Sequence, residues 1–205
     1  MGKTTLEKVL EENTLANIIV REPQIFKFDN RDNLKRLFIE AFLLVDKTVA
    51  SKEKDRLPYQ RLYKHLSEYD EVIDWFCNNN GKGLFLTGSF GRGKSTILTG
   101  VLPLLFKAIH RRSVMPIHSR MLKDTDWKNT VAIDEIGKED IKNDFGTKID
   151  YVSNAIDYCE YNMKPLFITS NLNKQQLIDR YGVGDVERID RLCKTIVFKG
   201  KSLRS

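Results

Sequence analysis

The eight residues Gly88-Ser89-Phe90-Gly91-Arg92-Gly93-Lys94-Ser95 fit the pattern G-x-x-x-x-G-K-[ST] at every fixed position. They follow the apolar run Leu84-Phe85-Leu86 and precede a stretch, residues 96–106, with a helical apolar pattern. A strand before and a helix after are what separate a phosphate-binding loop from a chance cluster of glycines around a surface lysine. The glycines let successive backbone N–H groups turn inward, and the helix N-terminus adds its positive end to the same anion-binding hollow. Lys94 would reach the β- and γ-phosphates, and the Ser95 hydroxyl would complete a Mg²⁺ shell. The expectation is a nucleoside-triphosphate site, with Gly88, Ser89, Phe90, Gly91, Arg92, Gly93, Lys94, Ser95 and Thr96 as the contact set.

A chain of 205 residues buries one core with room for an appendage, not a second full domain. No apolar run approaches the roughly 18 residues that a membrane span needs. The N-terminus leads into a charged helical pattern and does not read as a signal peptide. Gly2-Lys3-Thr4 looks like the tail of a phosphate loop but lacks the upstream glycine and strand. The three cysteines, Cys77, Cys159 and Cys193, form no C-x-x-C pair, and His65, His110 and His118 have no metal-ligand spacing. Neither a disulfide framework nor a zinc site is expected, and a reducing cytoplasm fits this usage. The net charge of +6 favours an anionic partner, for which nucleotide alone would account in part.

Along the chain, residues 4–20 and 32–45 carry amphipathic helical patterns, with Asn30 or Asp32 as a candidate cap for the second. Helical patterns resume over 58–66 and 69–77. Strands are expected at 83–87, 114–117, 130–133, 165–169 and 195–198. Helices are expected at 94–110, 148–161, 175–180 and 186–192. The alternation predicts an α/β fold: a three-layer P-loop NTPase with a parallel sheet flanked by helices. A helical appendage would occupy residues 1–50 and the ATPase core residues 51–205.

Val131-Ala132-Ile133-Asp134-Glu135 is an apolar strand ending in two acids. At a strand tip beside the phosphate loop, Asp134 would serve the Mg²⁺ and Glu135 would take a proton from, or orient, the attacking water. Two solvated acids at a strand end are the plain alternative. Phe167-Ile168-Thr169-Ser170-Asn171 is a second such strand; Asn171 would either hydrogen-bond the γ-phosphate or water, or simply begin a turn. In Glu187-Arg188-Ile189-Asp190-Arg191, an arginine would neutralise phosphoryl charge across a subunit boundary, or pair along the helix as Glu187–Arg191. Residue chemistry leaves those two open.

The order of Gly88 to Ser95, Ile133-Asp134-Glu135-Ile136-Gly137, Thr169-Ser170-Asn171-Leu172, Tyr181-Gly182, Arg188-Ile189-Asp190-Arg191-Leu192 and Phe198-x-Gly200-x-Ser202-x-Arg204 resembles the DnaC/IstB-type AAA+ family of helicase loaders and transposition ATPases. The resemblance covers about residues 55–205. It implies an AAA+ ATPase using ATP and Mg²⁺, with catalytic roles for Glu135, Asn171, Arg191 (Arg188 second) and Arg204. Asn171 would be sensor 1, Arg191 the arginine finger and Arg204 a sensor-2-like arginine. It also implies homo-oligomers when ATP-bound, single-stranded DNA and a replicative hexameric DNA helicase as partners, no membrane, and no separate C-terminal lid domain. The chain departs from the family in the short segment before Thr130, which leaves little room for the extra helix that contributes there to DNA contact and spiral assembly.

Two basic groups, from Lys107 through Arg111, Arg112 and Arg120 to Lys123 and from Lys194 to Arg204, would track a phosphate backbone or simply stay solvated. The nearby aromatics Phe106 and Trp127 are too few to argue base stacking. The N-terminal apolar stripes would pack on the core or dock into a helicase groove. Helicase loading is therefore the function the resemblance implies. A transposition ATPase and a nucleotide-gated adaptor with negligible turnover remain as alternatives.

Overall fold

Alternating side chains along four buried strands divide this protein into three layers. In the computed structural model, residues 23–52, 63–122, 130–140, 142–144 and 147–203 are described. Five parallel strands form one sheet: β1 (Gly83–Gly88), β2 (Val114–His118), β3 (Thr130–Ile136), β6 (Leu166–Ser170) and β7 (Cys193–Phe198), in the order β2-β3-β6-β1-β7. A separate antiparallel pair joins β4 (Lys142–Asp144) to β5 (Thr147–Ile149).

Successive strand residues point to opposite faces. Leu84, Leu86, Ala132, Phe167, Ile196 and Phe198 therefore enter one core, and Phe85, Val131, Ile133, Leu166 and Ile168 the other. Being covered on both faces explains why these strands are nearly continuous apolar runs. The first core is closed by α1 (Arg31–Lys52), α2 (Ser67–Cys77) and a helix that runs through α3 (Lys94–Thr96), a π-helical stretch (Ile97–Val101) and α4 (Leu102–His110). The second is closed by α5 (Tyr151–Asn162) and α6 (Lys174–Leu192).

Helix α1 begins where Asn30 accepts a bond from the Asn33 N–H at 2.8 Å, so Asn30 supplies the cap. Its apolar stripe buries Leu34, Phe38, Ala41 and Phe42, while Leu43 and Leu44 face outward. A run of rings links it to the sheet: Phe38 and Phe42 lie 5.7 and 5.3 Å from Tyr69, and Tyr69 lies 6.2 Å from Phe198. Packing into the core is thus the use of this stripe, apart from its outward leucines. The helix expected over residues 4–20 lies outside the described residues.

Several boundaries differ from the sequence expectation. Residues 63–66 are not helical; residues 53–62 lie outside the described set. The helix expected from 148 starts at Tyr151, because the Asp150 carboxylate accepts from the N–H groups of Val152 and Ser153 and fixes the first turn there. The two short helices expected at 175–180 and 186–192 are the two arms of α6, longer than expected and separated at Gly182, whose φ 85° and ψ 163° are not helical. No helix among the described residues is long and apolar enough to cross a membrane.

If α1 is part of the core, deleting one of its rings must cost what a core deletion costs. Phe38→Ala should lower the unfolding free energy by about 3–5 kcal/mol, read by urea denaturation. A change below about 1 kcal/mol would mean that α1 is dispensable to the fold.

Candidate functional site

All five strands are parallel, so their C-terminal ends share one edge, where open α/β sheets bind ligands. The order places β6 between β1 and β3. The phosphate loop after β1, the acids of β3 and the polar end of β6 therefore meet. One cleft of about 380 Å³, its open mouth included, is lined by residues 90–96 together with Glu135, Thr169 and Asn171.

The loop is shaped by close backbone approaches. Gly88 has φ 103°, and a Cβ there would stand 2.3 Å from the Phe198 carbonyl oxygen. That same carbonyl accepts the Ser89 N–H at 2.8 Å. Gly93, at φ 90°, is the residue from which the helix starts, and a Cβ on it would meet the Tyr69 hydroxyl at 2.7 Å. Lys94 is buried, and its ammonium donates to the carbonyls of Gly88 and Ser89 at 2.8 and 2.7 Å. The cation is thereby held over the hollow of the loop. Phe90 is 65% exposed at the loop's tip.

Arg92 is among the lining residues, but its charge is already paired. Its guanidinium bonds the Glu68 carboxylate at 3.0 Å, and both side chains are buried. Glu68 Oε1 also accepts the Lys199 N–H at 2.9 Å, while Arg92 donates to the Lys201 carbonyl at 3.1 Å. The Tyr69 hydroxyl donates to the Arg92 carbonyl and the Leu203 N–H to the Gly91 carbonyl. One buried ion pair thus ties the loop to α2 and to the segment after β7. Burial raises the Glu68 carboxyl pKa, but bonds from Lys199 and Arg92 outweigh it and leave it below the ordinary 4.5.

At the end of β3 the ladder to β6 shifts register between Ile133 and Ile136, and Glu135 adopts φ 59°. A bulge next to a site re-aims side chains, and a left-handed glutamate costs of order 1–3 kcal/mol. Thr169 holds the bulge. Its hydroxyl donates to Asp134 Oδ1 at 2.6 Å and accepts the Glu135 N–H at 2.8 Å. Asn171 Nδ2 lies 3.5 Å from Glu135 Oε1. Glu135 Oε2 contacts His118 Nε2 at 3.0 Å and Lys138 Nζ at 2.8 Å. Burial pushes the Glu135 pKa up, but the Lys138 and His118 hydrogen bonds and charges prevail and hold it low. The carboxylate is ionised, as a proton acceptor must be.

Glu139, two residues beyond Gly137, is buried and accepts from the Gly137 N–H, Tyr181 and Arg180. Burial opposes its ionisation, yet these bonds leave its pKa lowered. They fasten the loop after β3 to α6 just before the Gly182 kink.

Arg188 and Arg191 are elsewhere. Arg191 precedes Cys193 by two residues, and Cys193 pairs with Gly83 at the far end of β1 from Gly88. Five residues of strand, about 17 Å, separate the two ends. Arg191 bonds Glu160 at 2.6 Å, not Glu187, and Arg188 contacts Asp157, Asp185 and Glu160. Arg204, Lys123 and Trp127 lie outside the described residues, although Leu203, adjacent to Arg204, is bonded to the loop.

Sequence reasoning missed Thr169, His118, Lys138 and Glu68 as members of the site. Thr169 was legible as a small polar residue ending an apolar strand. His118 was not, because its role depends on β2 aligning it with Asp134.

For a divalent cation, the cleft offers the Ser95 hydroxyl and the Glu135 carboxylate among its lining residues, with the Asp134 carboxylate bonded to the lining residue Thr169. Hard oxygen donors of this kind fit Mg²⁺, which takes one or two protein ligands and completes its shell with phosphate and water.

The topology and loop define a P-loop NTPase fold. No protein-family model and no curated protein sequence matches the chain. Among solved structures it is similar to that of the DnaC helicase loader, at 18% identity over 68% of this chain and 95% of that one, with a TM-score of 0.49. It is also similar to DnaI, at 26% identity over 60% of this chain and 73% of that one, with a TM-score of 0.46.

Three carboxylates here, Glu68, Glu135 and Glu139, have depressed pKa values in the fold. Each contributes stability that is present above the unfolded-state pKa of about 4.5 and lost as pH falls through the folded value. Denaturant stability should therefore decline below about pH 4.5. Glu68→Gln breaks a buried pair and should cost about 3–5 kcal/mol at pH 7, with the gap to the parent shrinking by pH 3. A gap independent of pH would exclude the Glu68 charge as its source.

Proposed function

We propose that this protein is an ATP-hydrolysing helicase loader. The ATPase part rests on one observation: phosphate loop, Glu135, Thr169 and Asn171 line a single cleft, with Asp134 bonded to Thr169 behind it. The loading part rests on the motif order described above.

In this reading the inward N–H groups of Gly88 to Ser95 hold the β- and γ-phosphates, and Lys94 exchanges its two loop carbonyls for phosphate oxygens. Ser95 and Asp134 hold Mg²⁺, which when bound neutralises charge on the phosphates. Glu135 accepts a hydrogen bond from the attacking water and orients it, with Asn171 on the carboxylate's other oxygen. To do so Glu135 leaves His118 and Lys138, so its release sets when the chain turns over. Arg191 serves the site of a neighbouring copy, with Arg188 beside it. The loop then times assembly on single-stranded DNA and release of a hexameric helicase.

Lys94→Ala should abolish MgATP binding by calorimetry. Glu135→Gln should keep binding and reduce hydrolysis at least 100-fold. Tight ATP binding by the Lys94 variant would refute the cleft assignment. The loading reading is tested by size-exclusion chromatography with the host's replicative helicase. MgATP should produce co-elution with the parent protein and not with Lys94→Ala. Active ATPase that never co-elutes with the helicase would leave the ATPase standing and remove the loader.

A further inference from the structure

The turn that follows β3 is held by a carboxylate that does not line the phosphate cleft. Glu135 and Gly137 both have positive φ, at 59° and 95°, and the Lys138 N–H returns to the Glu135 carbonyl at 3.3 Å. Thr169 holds the Glu135 N–H, and the Ser119 hydroxyl donates to the Glu135 carbonyl at 2.7 Å. The Gly137 N–H, in the middle of the turn, donates to Glu139 Oε2 at 2.9 Å. Gly137 is also pressed against the residue after Asn171, since a Cβ on it would stand 2.4 Å from Leu172 Cδ1.

The other oxygen of Glu139 is held from α6. Oε1 accepts from the Tyr181 hydroxyl and from Arg180 Nη2 at 3.2 Å, and the same guanidinium nitrogen donates to the Glu139 carbonyl. Glu139 is buried and is not among the residues that line the cleft. Burying a carboxylate is costly unless it is bonded, and a satisfied polar network holds one arrangement against others. Here the arrangement held is the turn. The Glu135 carboxylate reaches Lys138 of that same turn at 2.8 Å. Once Glu135 leaves Lys138, the position of the turn decides where its carboxylate can go.

We propose that Glu139 is a positioning residue for hydrolysis: its carboxylate, braced by Arg180 and Tyr181, holds the Gly137 N–H and so keeps Glu135 aimed at the attacking water. The inference rests on the ATPase reading and adds what aims its glutamate. A reacting group misplaced by about 1 Å can lose about 100-fold in rate. Because Glu139 stands off the cleft, its removal acts on kcat and leaves nucleotide binding alone.

The test measures steady-state ATP hydrolysis, MgATP binding by calorimetry and urea unfolding on the full chain. Glu139→Ala should lower kcat by about tenfold or more, with MgATP affinity within about twofold of the parent. Glu139→Gln loses the charge that pairs with Arg180 but keeps one oxygen to accept the Gly137 N–H, and should recover most of kcat. Both variants should be less stable than the parent, so a role confined to the ion pair would lower kcat in both or in neither. If Glu139→Ala does not fold, Glu139→Met combined with Arg180→Met removes both charges together, a replacement that buried pairs tolerate, and should show the same loss of kcat. In a Glu135→Gln background, Glu139→Ala should change the single-turnover rate by less than about twofold, because it acts through Glu135. Three results overturn the proposal: kcat within about twofold of the parent in both Glu139→Ala and the double variant, an equal loss in Glu139→Gln, or full additivity with Glu135→Gln. A parent that hydrolyses no ATP would refute the ATPase reading, and this proposal with it.

Discussion

The Thr169 hydroxyl holds together the two acids at the end of β3. It donates a hydrogen bond to Asp134 and accepts one from the Glu135 N–H. These bonds fix a bulge that β3 would not otherwise keep, since a glutamate at positive φ relaxes unless its surroundings over-determine it. Thr169 can do this only because β6 runs between β1 and β3. The strand order therefore comes first, and the site's geometry follows from it. Hydroxyl and carboxylate oxygens gather at one sheet edge because parallel strands end together.

The phosphate loop and the apolar strands were legible in the sequence because both are local. The loop needs its glycines at fixed spacing, and a strand buried on both faces reads as an unbroken apolar run. What stayed hidden depends on contacts across the chain. His118 becomes part of the site only through its alignment with Asp134, and Glu68 only through a pair with Arg92, 24 residues away. The break within α6 was legible for a local reason: Tyr181-Gly182-Val183-Gly184 breaks helical propensity, and the helix is interrupted at Gly182, at φ 85°. The role of Asn30 was legible because an N-cap acts within three residues.

Arg92 shows how a motif position of no fixed identity acquires a use. The pattern permits any residue there, and this chain pairs its side chain with Glu68. The pair is buried, and such pairs are weak evidence for stability gain, because desolvation offsets attraction. Its consequence is positional. Glu68 also holds the Lys199 N–H, and Arg92 the Lys201 carbonyl. The loop, α2 and the segment after β7 thus share one anchor, and motion of the loop would be felt at both.

The position of Arg191 constrains how the protein would work. It stands at the end of β1 opposite Gly88, some 17 Å of strand away. An arginine side chain spans less than half of that distance, so Arg191 cannot reach the Gly88–Ser95 loop of its own chain. Its pairing with Glu160 is exposed, and exposed pairs are worth little. A stronger anionic partner would therefore draw it away at small cost. If Arg191 meets a triphosphate, that triphosphate belongs to another copy. The contact then joins unlike faces, the cleft of one chain and the α5–α6 face of the next. Such head-to-tail interfaces propagate to rings or helical filaments and do not stop at two-fold dimers. A role for Arg191 in hydrolysis and a head-to-tail assembly are thus a single structural commitment.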